Sequence, residues 1–555
     1  MTGAQAVVEA LERMGVETIF GYPGGAIMPL YDALYEHRVR HILVRHEAAA
    51  AFAASGYART SGRVGVCCAT SGPGATNLVT GLLDAMMDSV PLVAITGQVR
   101  TELMGTDGFQ EADVCAITQP VTKRNMLISD VNRIGETIAE AFALARHGRP
   151  GPVLIDIPND ILKARTDATA VCEPLTYGGA GPRASDAAVR DAVARIRSAR
   201  RPVAIIGGGV RAGAVDLYRL FVAMLGLPHA ATINALGAAA PGDANYLGML
   251  GMHGLKAANK AVQRADLLVA LGMRFDDRVT GKPDRFAREA AVIHADIDAT
   301  EFGKIVAADV TLHGDLRETL RALVDELARG HVPRFDDWAA EARLLGGPLP
   351  SDRVENDQLS ATGVLDRLFA AIPDDAIVTT DVGQHQMWAA QRAQPAHPRK
   401  YATSAGLGAM GFGFPAAIGA AYANPGVPVY AIVGDGGFQM CLPELATLRR
   451  YDVPVKIVLI DNQNLGMVRQ WQELFFSQRY SATNLADNPD FVAIARAYGI
   501  DAYAITAPAH AGDVIARFVA SRGPALLHCA CHPTENVWPM IPAGMTVDDL
   551  MEARA

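Results

Sequence analysis

The chain has 555 residues, enough for about three or four domains of ordinary size. Half of them are hydrophobic and a fifth charged, which supplies several cores and excludes a disordered chain. A formal net charge of −9 argues against a sequence-independent nucleic-acid binder, which needs a basic face, and no uncharged apolar run reaches membrane-spanning length. Seven cysteines in no framework spacing read as reduced thiols of a cytoplasmic protein. The first twenty residues lack the basic and apolar regions of a signal peptide.

In chain order, Thr2 is placed to cap a helix ending near Gly15. Residues 18–20 read as a strand entering the glycine-rich turn Gly21-Tyr22-Pro23-Gly24-Gly25, and residues 42–45 as a strand leading into a helix at Glu47. Residues 64–70 form a third strand, followed by Ser71-Gly72-Pro73-Gly74 and a helix ending near Asp88; residues 92–96 and 153–157 are strands of the buried type. Residues 165–185, rich in Gly and Pro, read as a linker. A second region has strands at 203–206, 267–271 and 291–297, residues 334–360 read as another linker, and a third region has strands at 377–380, 429–433 and 455–460. Short apolar strands that each end in a glycine turn and a helix predict an α/β fold of three doubly wound parallel-sheet domains. Their expected bounds are 1–165, 185–335 and 360–540, with a tail at 541–555.

The most informative motif is Gly434-Asp435-Gly436-Gly437 at the end of a strand, with twenty-five residues between Gly436 and Asn462, which ends the next. In a doubly wound sheet both stand at carboxyl ends of strands, where ligands bind. A carboxylate beside an amide oxygen suits Mg²⁺, which takes one or two protein oxygens and completes its shell with phosphates. Gly434 and Gly436 let phosphates approach the backbone. Alone, a strand-end Asp between glycines is also a common turn. The run His528-Cys529-Ala530-Cys531-His532 closes an apolar strand, so alternate residues face opposite sides and do not converge on a metal.

The Asp435/Asn462 pair resembles the diphosphate–Mg²⁺ motif of thiamine-diphosphate enzymes. The segments FGYPGGAIMPLYDAL, ATSGPGATNL, GTDGFQEADV, GRPGPVLIDIP, LGMLGMHG, RFDDRVTGK, TTDVGQHQMWAAQ, GLGAMGFGFPAA and DNQNLGMVRQWQELFF narrow the likeness to the catalytic large subunits of acetohydroxyacid (acetolactate) synthases, over essentially the whole chain. The resemblance implies pyrimidine-binding, FAD-binding and diphosphate-binding domains in that order. It implies Mg²⁺ held by Asp435, Asn462 and the carbonyl of Asn464, and thiamine diphosphate cradled by Pro23, Pro73, Asn77, Gln384, His385, Gly408, Met410, Gly434, Gly436, Gly437, Gly466 and Met467. Glu47 would exchange a proton with the pyrimidine ring of a cofactor gripped by a partner subunit, although a Glu opening a helix is also favoured by the helix dipole. Met410 would be the wedge over which the cofactor bends; it could equally be core.

Around the reacting carbons the resemblance implies Phe109 and Val382 as walls for pyruvate, Gln110 as an orienting amide, Arg278 as the clamp on a second 2-oxoacid, and Trp471 as the residue shaping its pocket. A planar guanidinium fits a carboxylate, although Arg278 could instead pair with Asp276 or Asp277. FAD would lie against Arg149, Gly207, Gly208, Gly209, Met252, His253, Gly254, Arg274, Asp296 and Asp315; Gly207–Gly209 alone is a weak dinucleotide signature. The implied partners are small 2-oxoacids, a second copy of the chain as homodimer or dimer of dimers, and a small regulatory subunit, with no nucleic acid and no membrane. The implied function is acetolactate formation in branched-chain amino-acid synthesis; a 2-oxoacid decarboxylase, a flavin-linked pyruvate oxidase and a non-catalytic nucleotide binder are the competing readings. Three positions depart from the family pattern: Ala48 replaces the usual Gln, Asn159 a Lys, and Asn234-Ala235 a Lys-Gly pair.

Overall fold

The computed structural model describes residues 1–167, 182–349 and 358–553. They form three six-stranded sheets in which every pairing is parallel. The first contains β1 (Thr18–Gly21), β2 (Arg40–Leu43), β3 (Gly65–Ala69), β4 (Leu92–Gln98), β5 (Arg124–Leu127) and β6 (Pro152–Pro158) in the order β2-β1-β3-β4-β6-β5. The second contains β7 (Pro202–Ile206), β8 (His229–Ala231), β9 (Tyr246–Met249), β10 (Leu267–Leu271), β11 (Ala291–Asp296) and β12 (Val310–His313), ordered β12-β11-β10-β7-β8-β9. The third contains β13 (Ile377–Thr380), β14 (Tyr401–Thr403), β15 (Val429–Gly434), β16 (Val455–Asp461), β17 (Asp501–Ile505) and β18 (Ala525–Ala530), ordered β14-β13-β15-β16-β18-β17.

The first and third sheets thus share one topology. The second has the 3-2-1-4-5-6 order of dinucleotide-binding sheets, with its reversal between β7 and β10. In the outer two sheets the order reverses between the first and third strands: between β1 and β3, and between β13 and β15. Crevices form at such reversals because the adjoining loops turn to opposite faces of the sheet.

Thr2 caps the first helix through a full capping box with Gln5, as its position predicts. The alanine-rich helix Glu47–Ser61 has almost no polar face, so it must be buried nearly all round. It packs against Gly413–Ala423, and their backbones touch: a Cβ on Gly56 would lie 2.1 Å from the Ala416 carbonyl oxygen, and one on Gly419 would lie 1.8 Å from that of Ala53. This contact fuses the first and third sheets into one core running from Phe20 and Ala50 to Phe414 and Val433.

The second linker reading is corrected in part. Residues Asp336–Leu344 form a helix, and Trp338 is buried in the core of the second sheet, where its Nε1 donates to the Pro202 carbonyl at 3.1 Å. The Pro-rich stretch that suggested a linker follows this helix, and residues 350–357 lie outside the described part, as does most of the first linker, 168–181. No described helix is long and apolar enough to cross a membrane.

Candidate active site

The third-sheet crevice is built at the ends of β13, β15 and β16. Asp435 follows β15 and is 2 % exposed. Its Oδ1 accepts from the Gly436 amide at 3.0 Å and its Oδ2 from Asn488 Nδ2 at 2.8 Å. The same Asn488 amide reaches Asp461 Oδ1 at 3.1 Å, and His528 Nε2 pairs with Asp461 Oδ2 at 2.8 Å. Burial, then the neighbouring negative charge of Asp461, pushes the Asp435 carboxyl up to about 7.

Asn462, one residue past β16, gives its Nδ2 to Gln384 Oε1 at 3.0 Å, so its remaining polar atom is the oxygen. Gln384 Nε2 is spent on Gln470 Oε1 and the Glu535 carbonyl, both at 3.0 Å. Gln384 is therefore an orienter of Asn462 rather than an available phosphate contact. Gly466 is the residue that tolerates this pair, since a Cβ there would lie 2.0 Å from Gln384 Oε1. Asn464 lies in an isolated antiparallel bridge to Asn484, flanked by the bonds Leu465 N to Thr483 O and Leu485 N to Gln463 O, which leave its own carbonyl outside the ladder. His385 packs against Gly434, and its Nε2 is buried with no partner among the described residues. Burial lowers that ring to about 3, so it is neutral.

Asp381, just past β13, was not among the residues singled out in the sequence, but it organises the crevice. It is buried, and its carboxylate accepts from Val382 N at 2.7 Å and from Gly411 N at 2.9 Å. The loop through Gly408 and Gly411 needs φ of +68° and +87°, the left-handed region glycine enters without cost. It brings Gly408 near Val382, and it aims Met410 so that a Cβ on Gly436 would lie 3.5 Å from the Met410 methyl. Met410 belongs to none of the core clusters of the described residues. The donor set therefore fits a metal diphosphate: a carboxylate, an amide oxygen, an orphaned buried imidazole and a glycine turn, with an apolar ledge above.

The first-sheet crevice holds a second group. Glu47 opens its helix, and its Oε2 accepts from Asn77 Nδ2 at 3.0 Å. Gly74 lies beside Glu47 Oε1, and Thr70 packs against both Gly24 and Gly74, which ties the Pro23 and Pro73 turns together. Asn159 replaces the expected Lys and donates to the Ala26 carbonyl at 2.8 Å, fixing the same loop. The loop bearing Phe109 and Gln110 rests on this turn, with the Gln110 backbone against Gly72 and φ of +60° at Gln110. Glu111 closes that loop by accepting from the amides of Gly105, Thr106 and Gly108. Phe109 is 89 % exposed, so it is no core residue.

Trp471 and Met467, on the helix Gly466–Phe475, line an apolar cavity of about 640 Å³ with Val468, Gln472, Phe476, Arg479 and Ser481. Trp471 also packs against the cluster of Met252, Trp538 and Met540. Arg278 is exposed; its Nη1 touches Met252 Sδ at 3.2 Å, and its Nε stands 3.8 Å from Asp277, beyond hydrogen-bond reach. Arg278 and Trp471 therefore share the neighbour Met252.

The residues expected at FAD lie along the carboxyl edge of the second sheet. Gly207–Gly209 follow β7, and Gly207 and Gly209 press on Gly272 and Met273 after β10; Asp296 ends β11, Arg274 and Asp315 follow β10 and β12, and Met252–Gly254 follow β9. Asp315 also caps the helix Leu316–Ala328 through the amides of Arg317 and Glu318. Arg149 reaches across from the first domain to Asp298 and Glu301 at 3.3 and 3.0 Å. His253 Nε2 is a second buried imidazole nitrogen without a partner among the described residues.

The His528–His532 run divides as a strand must: Cys529 enters the core, His528 turns to Asp461, and His532 Nδ1 lies 3.2 Å from Thr534 Oγ1.

Comparison with known proteins gives this geometry a family. Three family models match: the thiamine pyrophosphate enzyme N-terminal TPP binding domain over residues 1–117, the central domain over 189–323, and the C-terminal TPP binding domain over 381–529. The chain is 49 % identical to the acetolactate synthase isozyme 2 large subunit of Escherichia coli strain K12, with all of both chains covered. It is 48 % identical to acetolactate synthase of Mycobacterium bovis, covering 100 % of this chain and 92 % of that one, and 46 % identical to the acetolactate synthase large subunit of Corynebacterium glutamicum, covering 100 % and 90 %. The chain belongs to the acetolactate synthase large subunits of the thiamine pyrophosphate enzyme family.

Proposed function

We propose that the protein joins pyruvate to a second 2-oxoacid, pyruvate or 2-oxobutyrate, with thiamine diphosphate and Mg²⁺ at the Asp435 crevice, as a step of branched-chain amino-acid synthesis in the cytoplasm. The observation that carries this reading is the pair of oxygen donors, Asp435 and Asn462, at adjacent strand ends, each oriented by a neighbouring side-chain amide, Asn488 and Gln384. Asp435, the oxygen of Asn462 and the carbonyl of Asn464 would hold the metal; His385 Nε2 and the Gly434–Gly437 turn would meet the diphosphate. Thiamine diphosphate, when bound, supplies the electron sink that lets a 2-oxoacid lose CO₂ and passes the remaining two-carbon unit to the ketone of another.

The chain's own residues then have separable tasks. Glu47 would exchange a proton with the cofactor's pyrimidine ring, and Asn77 orients its carboxyl. The Gly408 carbonyl would accept from the cofactor amino group, and Met410 would support the ring. Val382 and Phe109 exclude water from the reacting carbons, which favours ligation over protonation, and Gln110 orients the first 2-oxoacid. Arg278 clamps the carboxylate of the second, and Trp471 limits the room for its side chain.

The second sheet's dinucleotide strand order and its glycine turn at the reversal support FAD along that edge. A dimer is supported by the apolar side chains that this single chain leaves uncovered near both crevices, among them Phe109, Met28, Phe476 and Tyr480. Glu47 of one protomer would serve the crevice of the other. Several relatives are named large subunits, which supports a small regulatory partner. The test is product analysis of the purified protein with pyruvate, Mg²⁺ and thiamine diphosphate, with and without FAD. Acetolactate is expected; acetaldehyde or acetate as the sole product would install a decarboxylase or an oxidase instead.

A further inference from the structure

A fully buried ion cluster lies where all three domains meet. Arg59, on the helix Glu47–Ser61, donates from Nη2 to Asp84 Oδ2 at 2.8 Å and from Nη1 to Asp88 Oδ2 at 3.0 Å, and none of these side chains is exposed to solvent. Arg59 Nη1 also donates to the Thr403 carbonyl at 3.0 Å, and its guanidinium lies 5.1 Å from the Phe412 ring centre. Burying three charges is costly and is a poor route to stability alone, because apolar residues of similar shape serve as well or better. The partners of the cluster suggest another use.

Asp88 accepts from two successive amides of the third domain, Ala405 N to Oδ2 and Gly406 N to Oδ1, both at 2.9 Å. Asp84 Oδ1 accepts from Ser404 Oγ at 2.5 Å, and Ser404 Oγ in turn accepts from Ala409 N at 2.8 Å. Asn234 of the central domain, at the position that departs from the family pattern, adds its Nδ2 to Asp88 Oδ1 at 3.0 Å. Both ends of the segment Ser404–Ala409 are thus hydrogen-bonded, directly or through one hydroxyl, to a charge cluster anchored in the first domain. That segment leads to Gly408 and Met410.

We infer that Arg59, Asp84 and Asp88 of the first domain, acting in part through Ser404, are positioning residues that set the Gly406–Met410 ledge, so that its carbonyl and wedge would meet the cofactor ring. This rests on the cofactor reading given above. The ledge would touch the organic ring and not the diphosphate, which gives a test that a general loss of stability does not mimic.

Ser404→Ala removes one link of the cluster, and Asp88→Asn forces an amide donor against donors it must accept from. Binding is measured by tryptophan fluorescence with two probes, thiamine diphosphate with Mg²⁺ and inorganic pyrophosphate with Mg²⁺. Loss of both hydrogen bonds of the Ser404 hydroxyl, to Asp84 and from Ala409 N, predicts thiamine diphosphate binding weaker by about fivefold or more in Ser404→Ala, and weaker still in Asp88→Asn, with pyrophosphate binding unchanged. Equal weakening of both probes, or wild-type affinity for thiamine diphosphate in a folded Ser404→Ala protein, overturns the inference. If the unmodified protein binds neither probe, the cofactor reading itself fails. Should Asp88→Asn not fold, Ser404→Ala alone decides.

Discussion

Asn77 donates its side-chain amide to Glu47 across 3.0 Å, so the acid that opens the helix Glu47–Ser61 is held by a residue from the neighbouring glycine turn. Glu47→Gln keeps the side chain's shape and can keep the Asn77 contact through its amide oxygen, while losing the exchangeable proton. The expected result is a fall in turnover of about 10²–10⁴-fold with an unchanged melting temperature. Acetolactate formation and a thermal melt on one preparation decide it, and near-normal turnover would remove Glu47 from the chemistry.

Asn488 is shared by Asp435 and Asp461, which its sequence position gave no reason to suspect. Outer-shell groups that orient a metal ligand are worth about 10–100-fold in metal affinity. Asn488→Ala is expected to raise the Mg²⁺ concentration needed for half-maximal thiamine diphosphate binding by that factor. A titration of Mg²⁺ at fixed cofactor measures it.

Glu444 couples the third domain to the first by accepting from Arg45 N at 2.8 Å and from Thr447 Oγ1 at 2.6 Å, and burial raises its carboxyl to about 7. The folded state therefore holds this proton more tightly than the unfolded chain does. Stability from this group is fully present below the unfolded value near 4.5, and it is lost as pH rises from there to about 7. Glu444→Gln stays neutral and can satisfy both partners. Its melting temperature should fall less than that of the unmodified protein between pH 5 and about 8. Parallel slopes for the two proteins would contradict the shift.

The helix contact at Gly419 leaves no room for a side chain, because a Cβ there would lie 1.8 Å from the Ala53 carbonyl oxygen. Gly419→Val must push the two helices apart, and a cost of about 3 kcal/mol or more is expected. Denaturant unfolding would register it as a lower midpoint, with aggregation of the refolding chain as the extreme outcome.

Most strands legible in the sequence are those buried on both faces; the edge strand β2, read at 42–45, is the exception and begins two residues earlier. β3, β4, β10, β13, β15 and β16 are near-continuous apolar runs, the pattern of interior parallel strands. Those missed are short or peripheral: β5, β9, β12, β14 and β17 are edge strands, and β8 has three residues next to an edge. β5 and β17 are mostly exposed or half-buried, so nothing in their composition separates them from loops. The helix Asp336–Leu344 was hidden by its Pro-rich neighbourhood, although Trp338 within a run of alanines and acids was a signal for it.

The candidate site was legible where a polar residue follows an apolar run, as at Asp435, Asn462 and Glu47, with flanking glycines at Asp435. Asp381 also follows such a run, and its place in Thr379-Thr380-Asp381-Val382-Gly383 could have marked it. Asp84 and Asp88 stand four residues apart, on and just beyond an otherwise apolar helix, a spacing that puts both on one face and asks for a buried cation. Asn488 had no such signal, because it lies in a polar loop and acts through side chains distant in sequence. Gln384 shows the converse: its sequence neighbourhood suggests a diphosphate contact, and the fold gives its side chain three internal hydrogen bonds, to Gln470, the Glu535 carbonyl and Asn462.

The merged core of the first and third sheets has a consequence for how the polypeptide matures. The two outer thirds share one core besides those on the far faces of their sheets, and the middle third, with two cores of its own, is inserted between them. During synthesis the first third must wait, with its alanine-rich helix unclad, until more than two hundred further residues have left the ribosome. Fragments that stop before Gly413 should therefore need chaperones to stay in solution, whereas the middle third expressed alone should not.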